Sequence, residues 1–326
     1  MKGSEAIGEA AVRCGCRLFF GYPITPQNEI PEYLSHRLPQ VGGTFVQAES
    51  EVAASNMLYG AAGAGCRVMT SSSSPGISLM QEAISYMAAS ELHVVVVNIM
   101  RAGPGLGGIL PSQADYTQAT KGGGHGDYHV LVLAPWSVQE AADLVQDAFD
   151  LADFYRNPVM ILGDGLIGQM MEPVEFHEDR KPCKPLPPKD WASTGWKRDR
   201  PRAVINSLYL DPEVLERHNQ HLVAKDQAMR AGEVRFAGYG LDHDYDVLIV
   251  AYGTVARVAL TAQEDLAAEG IRVGILRPIS LYPFPYQALV SAADRARAVL
   301  VLELSTGQML QDVQRGLKGR KPVHFD

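Results

Sequence analysis

Cysteine is scarce in this chain: four residues among 326, at Cys14, Cys16, Cys66 and Cys183, with no Cys-x-x-Cys pair. A [4Fe–4S] cluster needs four thiolates with some close spacing, so the chain is expected to hold none by itself, and any redox chemistry would place its clusters on other chains. Cys14 and Cys16 stand two apart in a segment that reads as helical, where their side chains diverge, and they are expected as small buried hydrophobes. A long basic run is also missing. The formal charge of −8, from 29 Lys and Arg against 37 Asp and Glu, argues against nucleic acid as the main partner. The longest apolar run, His93 to Met100, is too short to span a bilayer, and the N-terminal segment lacks the apolar core of a signal peptide. No membrane is expected, and the cytoplasm is the expected compartment.

What the chain does have is 46% hydrophobic content over a length ample for one large core or two domains. Short apolar runs alternate with helical patterns. Arg17–Phe20, residues 44–48, Arg67–Thr70, His93–Met100, Val130–Ala134 and Val159–Leu162 read as strands. Helices are expected over Asn28–Arg37, Glu51–Ala64, from Pro75-Gly76 to about Ser90, and from Val138 to about Asp153. This is a doubly wound α/β pattern with a parallel sheet. From Glu172 to about Val234 the periodicity fades, and Lys181-Pro-Cys-Lys-Pro-Leu-Pro-Pro reads as a proline-rich connection. A second, smaller α/β unit follows, with strands at Asp246–Ala251, Val273–Leu276 and Ala298–Leu304 and helices near Val255–Glu269 and Pro285–Ala293. The expected division is a first domain over 1–171, a linker over 172–234 and a second domain over 235–326.

The most informative stretch is Phe45 to Gly65, where carboxylates stand at the handover from a strand to a helix rich in Ala and Gly. Strand ends of this kind hold ligands in many α/β proteins. Glu51, fixed there in poorly solvated surroundings, could hold a cofactor nitrogen and exchange a proton with it. The plainer alternative is that Ser50 and Glu51 only complement the helix dipole. Four loops sharpen the choice. Gly21-Tyr-Pro-Ile-Thr-Pro26 is a stiff turn that leaves the Thr25 hydroxyl facing the strand ends. Thr70-Ser-Ser-Ser-Ser-Pro-Gly76 exposes hydroxyls and backbone N–H groups ahead of a helix. Arg101-Ala-Gly-Pro-Gly-Leu-Gly-Gly108 sets an arginine, suited to bidentate carboxylate binding, before glycines that permit close backbone approach. It is not a dinucleotide fingerprint, because Pro104 interrupts the glycines and no helix follows directly. Lys121-Gly-Gly-Gly-His-Gly-Asp-Tyr-His129 is too flexible for a core; His125 and Asp127 lack the further ligands a zinc site wants, and a loop or subunit contact is expected. Gly163-Asp-Gly165 looks like the start of a thiamine diphosphate metal motif, but the asparagine that should follow does not come until Asn206, so Asp164 is rejected as a magnesium ligand.

Taken in order, Gly21-Tyr-Pro-Ile-Thr-Pro26, Ala48-Glu-Ser-Glu-Val-Ala-Ala54, Ser71-Ser-Ser-Ser-Pro-Gly-Ile77, Arg101-Ala-Gly-Pro-Gly-Leu-Gly107 and Gly122-Gly-Gly-His-Gly-Asp127 resemble the alpha subunit of 2-oxoacid:ferredoxin oxidoreductases, most nearly the branched-chain type that oxidises 3-methyl-2-oxobutanoate. The resemblance runs on through Leu276-Arg-Pro-Ile-Ser280 and Gly307-Gln-Met309. It implies a thiamine-diphosphate-binding, pyrimidine-type doubly wound domain followed by a transketolase C-terminal-like domain. Glu51 would then bond the aminopyrimidine N1′ of thiamine diphosphate, with Tyr22, Pro23 and Ser73 as further cofactor contacts and Thr25 and Arg101 meeting the substrate. A beta subunit would supply the diphosphate and Mg2+ site. Gamma and ferredoxin-like delta subunits would be the further partners, partner chains would carry the [4Fe–4S] clusters, ferredoxin would take the electrons, and coenzyme A would accept the acyl group.

The chain departs from the family pattern at Ala102, where relatives often have glycine, and at His324-Phe-Asp326, where they usually continue past a Tyr-Gly-Arg segment. Substrate choice rests on a few apolar side chains worth about 1–3 kcal/mol per methylene, so 2-oxoglutarate, pyruvate and indolepyruvate stand as alternatives. Two other readings are half of a non-redox thiamine-dependent 2-oxoacid decarboxylase, and an assembly subunit that completes no site.

Overall fold

The computed structural model describes residues 1–196 and 198–326. In chain order its first part contains α1 (Gly3–Arg13), β1 (Leu18–Gly21), α2 (Glu29–Gln40), β2 (Thr44–Gln47), α3 (Glu51–Gly63), β3 (Val68–Ser72), α4 (Ser74–Ala89), β4 (Val94–Met100), α5 (Tyr116–Lys121), β5 (Leu131–Leu133), α6 (Val138–Tyr155), β6 (Val159–Asp164) and α7 (Gly165–Gln169). There follow α8 (Pro212–Gly232), β7 (Phe236–Tyr239), β8 (Val247–Ala251), α9 (Gly253–Ala268), β9 (Val273–Pro278), β10 (Ser280–Tyr282), α10 (Tyr286–Asp294), β11 (Ala298–Leu302), α11 (Gln308–Leu317) and β12 (Val323–Phe325).

The first sheet has the order β10-β5-β6-β4-β3-β1-β2, parallel except for β10, which runs antiparallel along β5. Its centre is β4, buried along its whole length. Successive strand side chains point to opposite faces, and β4 feeds both cores: Val94 and Val96 pack with α3 and α4, whereas Val95, Val97 and Ile99 pack with α1, α2 and α6. Each fully buried valine contributes about 1.5–3 kcal/mol. The second sheet, β12-β11-β8-β9-β7, is parallel apart from β7.

The crossovers determine where a ligand can lie. The chain leaves β1 through α2 toward β2, but leaves β3 through α4 toward β4, on the other face and in the other direction. Adjacent parallel strands whose connections diverge in this way leave a crevice at their carboxyl ends. That crevice lies between Gly21 at the end of β1 and Ser72 at the end of β3.

Among the described residues of 172–211 there is no regular helix or strand, and Arg180, Cys183 and Lys189 tie this stretch to α6. Asp147, Asp150 and Asp153, three apart, share one side of α6 and pair with Arg180 and Lys189 of the connection and with Arg67 and Arg235. Beyond it, α8 forms where no periodicity is legible. Its inner edge docks through polar groups: His218 Nε2 meets the Ala89 carbonyl oxygen at 2.8 Å, and Lys225 Nζ lies 3.3 Å from Glu91. Only Met229 of α8 is fully buried. At the other end of the chain, α1 stops at Arg13 and Gly15 takes a positive φ, so Cys14 and Cys16 stand beyond the helix rather than in it. Cys16 is nonetheless fully buried. Among the described residues no helix is long and apolar enough to cross a membrane.

His93, just ahead of β4, is buried with neither ring nitrogen hydrogen-bonded and its ring edge-on to Trp191 at 5.2 Å. Burial and the nearby Lys189 ammonium push its pKa down from 6.5 to about 4, against the pull of the Asp153 carboxylate 3.6 Å away. The folded state therefore keeps this ring neutral while the unfolded chain protonates it. The stabilisation is complete above pH 6.5 and is lost as pH falls from 6.5 toward 4, by roughly 3 kcal/mol. Denaturant titration at pH 7 and pH 4.5 should show a smaller acid loss for His93→Gln than for the wild type; equal losses would disprove this assignment.

Candidate active site

The opening of α3 separates two roles that the sequence leaves merged. Ser50 is the N-cap, its Oγ accepting from the Ala53 N–H at 3.1 Å. Glu51, the first helical residue, is buried yet makes no side-chain hydrogen bond among the described residues. Its carboxylate lies against the first turn of α4, where a Cβ on Gly76 would stand 2.5 Å from Glu51 Oε1 and 2.1 Å from Ser72 Oγ. Only glycine leaves that space open. Around it, the buried hydroxyls of Thr70, Ser72 and Ser73 have no partner among the described residues, although Ser73 holds the N-cap position of α4. Orphaned buried polar groups are costly. Gathered beside an unpaired carboxylate at the strand-end crevice, they suit a polar heteroaromatic ligand with both donors and acceptors.

Arg101 directly follows β4 and is buried. Its Nη1 donates to the Thr25 carbonyl at 3.0 Å and its Nη2 to the Leu106 carbonyl at 2.8 Å, while Nε has no partner. The Arg101 N–H donates to Ser74 Oγ at 3.0 Å, and Ser74 Oγ donates to Asp115 Oδ2 at 2.6 Å. Asn98 Nδ2 donates to the same Asp115 oxygen at 2.9 Å. Burial holds the Asp115 carboxyl above the usual carboxylate range, partly countered by these two bonds. Ser74, Asp115, Ala102 and Gly103 line a cavity of about 500 Å³ together with Ser305 and Gln308 of the second sheet's side of the molecule.

The structure thus brings together three of the four loops. Thr25, on an exposed part of the β1–α2 loop, joins Arg101 through its carbonyl; its hydroxyl accepts only a long 3.5 Å contact from Asn28. Tyr22 and Pro23 are exposed on the same loop, which is tied to β3 through Gln27: Gln27 Nε2 donates to the Tyr22 carbonyl at 3.3 Å and Ser71 Oγ donates to Gln27 Oε1 at 2.5 Å. The fourth loop does not join them. It follows α5 rather than a strand and packs on the middle of α4, with Ser85 Oγ donating to the His125 carbonyl at 2.5 Å. Asp164 has another task. Its Oδ1 accepts from the Leu166 and Ile167 N–H groups at 2.9 and 3.2 Å, capping α7, and Oδ2 accepts from the Thr254 hydroxyl of α9. Both oxygens are occupied, so this carboxylate pegs the two sheets together. Sequence reading missed Ser72, Ser74, Gly76, Asn98 and Asp115 as individuals; only Asn98, a lone amide within an apolar strand, carries a local signal.

Over residues 9–233 the sequence matches the family described as pyruvate flavodoxin/ferredoxin oxidoreductase, thiamine diphosphate-binding, and over residues 245–325 the pyruvate:ferredoxin oxidoreductase core domain II. The chain belongs to this oxidoreductase family. It is 50% identical over 314 residues to the ketoisovalerate oxidoreductase subunit VorB of Methanothermobacter thermautotrophicus, covering 96% of this chain and 88% of that relative. It is 39% identical over 325 residues to the 2-oxoglutarate synthase subunit KorA of Archaeoglobus fulgidus, covering 97% and 90%. Among solved structures it is similar to the 2-oxoglutarate:ferredoxin oxidoreductase from Magnetococcus marinus with 2-oxoglutarate, coenzyme A and succinyl-CoA bound, at a TM-score of 0.89 and 27% identity. That match covers 100% of this chain and 61% of the other, so the chain spans less than two thirds of that protein's length. A split-gene transketolase, at a TM-score of 0.62 and 18% identity, with 100% of this chain and 88% of the other covered, shares the fold alone. The relatives are named as subunits, and the family member described here is one subunit of a multi-subunit oxidoreductase.

Gly76→Ala tests the crevice. Helix propensity alone favours alanine over glycine by roughly 0.5–1 kcal/mol, but the added methyl has nowhere to go unless Glu51 moves. Misplacement of a reacting group by about 1 Å can cost on the order of 10²-fold in rate. The variant should melt within a few degrees of the wild type and lose turnover on that scale, and wild-type turnover would show that Glu51 does not need its position.

Proposed function

We propose that the chain is the alpha subunit of a thiamine-diphosphate-dependent 2-oxoacid:ferredoxin oxidoreductase that oxidatively decarboxylates 3-methyl-2-oxobutanoate to its acyl-CoA and delivers the electrons to ferredoxin. The observation that carries the site assignment is the pairing of Glu51, an unpartnered buried carboxylate, with unpartnered hydroxyls at a glycine-cleared strand-end crevice. Glu51, with Ser73, Tyr22 and Pro23 as further contacts, would hold the aminopyrimidine end of thiamine diphosphate. When bound, that cofactor supplies the nucleophilic carbon and electron sink that a 2-oxoacid needs to lose carbon dioxide. Glu51 holds and exchanges a proton at the pyrimidine nitrogen, a task for a carboxylate held with little water. Arg101, with its buried Nε free of protein partners, takes the substrate carboxylate, and Thr25 borders the reacting carbon.

A beta subunit supplies the diphosphate and Mg2+ contacts in this reading, gamma and ferredoxin-like delta subunits are the further partners, and partner chains carry the clusters, all in the cytoplasm. Residues 1–171 act as the pyrimidine-binding domain, 172–234 as the linker and 235–326 as the transketolase C-terminal-like domain. The separate matches over 9–233 and 245–325 support the boundary ahead of the last domain, although β10 returns to the first sheet. The 50% identity to a ketoisovalerate oxidoreductase subunit, against 39% to a 2-oxoglutarate one, supports the branched-chain substrate.

Viologen reduction by the co-purified complex, with a panel of 2-oxoacids, should require thiamine diphosphate and coenzyme A and run fastest with 3-methyl-2-oxobutanoate. Another best substrate would change the substrate and keep the mechanism, whereas carbon dioxide release without viologen reduction would favour a decarboxylase. Glu51→Gln should assemble normally and lose turnover by about 10²-fold or more; an assembled mutant with full turnover would sink the site assignment.

A further inference from the structure

Asp115 occupies the N-cap position of α5 but does not cap it: no side-chain hydrogen bond runs from its carboxylate to the helix. The group turns instead toward the end of β4, where it accepts from Ser74 Oγ and Asn98 Nδ2. Both partners are neutral, and no salt bridge to Asp115 occurs among the described residues. A half-buried carboxylate without a cation is unfavourable in itself, and its retention calls for a compensating role. That role is visible one bond further on. Ser74 Oγ, with its proton directed to Asp115, accepts the N–H of Arg101.

Arg101 needs such support, because the loop that follows it is mostly exposed and contains Gly103, Gly105, Gly107 and Gly108. The segment bearing Asp115 is firmly held. Two residues earlier, Gln113 is fully buried and grips the second domain by four bonds: its N–H donates to the Leu304 carbonyl at 2.8 Å, its Nε2 to the Tyr252 carbonyl at 3.0 Å, its Oε1 accepts from the Leu304 N–H at 2.9 Å, and its carbonyl accepts from the Tyr252 hydroxyl at 3.3 Å. Ser112 Oγ adds a fifth bond to Leu304 O at 3.1 Å. On the far side of Asp115, the Thr117 N–H donates to Gln308 Oε1 at 2.8 Å.

We propose that Asp115 is a positioning residue for substrate binding: anchored on the second domain through Gln113, it fixes Ser74 and thereby the backbone of Arg101, so that the second domain sets the affinity for the 2-oxoacid carboxylate. This rests on the reading of Arg101 as the carboxylate ligand. An interaction that orients a ground-state contact appears in KM with kcat unchanged, and residues acting through one another are non-additive in a double-mutant cycle.

The experiment is steady-state viologen reduction by the assembled complex carrying Asp115→Ala, Asp115→Asn, Arg101→Ala or the Asp115→Ala/Arg101→Ala pair, with 3-methyl-2-oxobutanoate varied. Asp115→Ala should raise KM at least tenfold with kcat and thiamine diphosphate affinity within threefold of wild type. Asp115→Asn, whose amide oxygen still accepts both bonds, should restore KM to within threefold. The double variant should have a KM no higher than Arg101→Ala alone. An unchanged KM in Asp115→Ala, or effects that multiply in the double variant, overturns the proposal while leaving Arg101 as the ligand. An unchanged KM in Arg101→Ala overturns the reading of Arg101 itself, and this inference with it. Should Asp115→Ala fail to assemble, Ser74→Ala removes one oxygen from the middle of the chain of bonds and carries the same cycle, with the same results for and against.

Discussion

The parallel pairing of β1 with β3 is the constraint on which the site depends. Parallel neighbours cannot be joined by a tight turn, so each must leave through a crossover. Here the two crossovers depart to opposite faces, α2 to one and α4 to the other. The gap between them cannot be filled by either helix. Into its rim the fold brings Glu51 from the start of α3, the serines of the β3–α4 turn and, one strand over, Arg101. Sheet order accounts for the co-location of these residues, since Gly21, Ser72 and Met100 end three neighbouring strands.

A close approach of two helix starts then determines what the crevice can hold. The Glu51 carboxylate and the Ser72 hydroxyl take up the space that a side chain on Gly76 would need. The Gly76 N–H is already taken, donating to the Ser73 carbonyl at 2.7 Å. The carboxylate is therefore left with orphaned hydroxyls and whatever enters the crevice. Preorganised polar groups of this kind need no rearrangement when the ligand arrives, which is where such sites gain their effect.

Much of this was legible in the sequence because it was local. Strong apolar runs located β4 and β6, and the serine ahead of Glu51 located the start of α3 to the residue. Motif order brought Glu51, Thr25 and Arg101 forward before any contact was known. The failures share one physical reason, that the deciding contact is distant in sequence or polar. Helix α8 lacks an apolar stripe because it docks through His218, Lys225 and Asp226. β10 is a three-residue strand that exists through its pairing with β5, and Asp164 is defined by Thr254, which is 90 residues away. Asp115, at the N-cap position of α5, is likewise defined by a distant partner, Ser74, 41 residues away.

The site so built is only half enclosed, and its two halves differ in kind. Glu51, Arg101 and the serines are buried and held by the fold, whereas Tyr22 and Thr25 are exposed. The loop whose Leu106 carbonyl folds back onto Arg101 also turns Leu106, Ile109 and Leu110 outward, at 79%, 62% and 72% exposure. Three neighbouring apolar side chains on a glycine-rich loop have the composition of a contact face. On the proposed reading, a chain that would bind the pyrimidine end of its cofactor and the carboxylate of its substrate, while turning this apolar loop to solvent, is organised to be completed by another. That division also fits the scarcity of cysteine: on the same reading proton transfer and substrate binding would fall to this subunit, and electron transfer to chains that can ligate clusters.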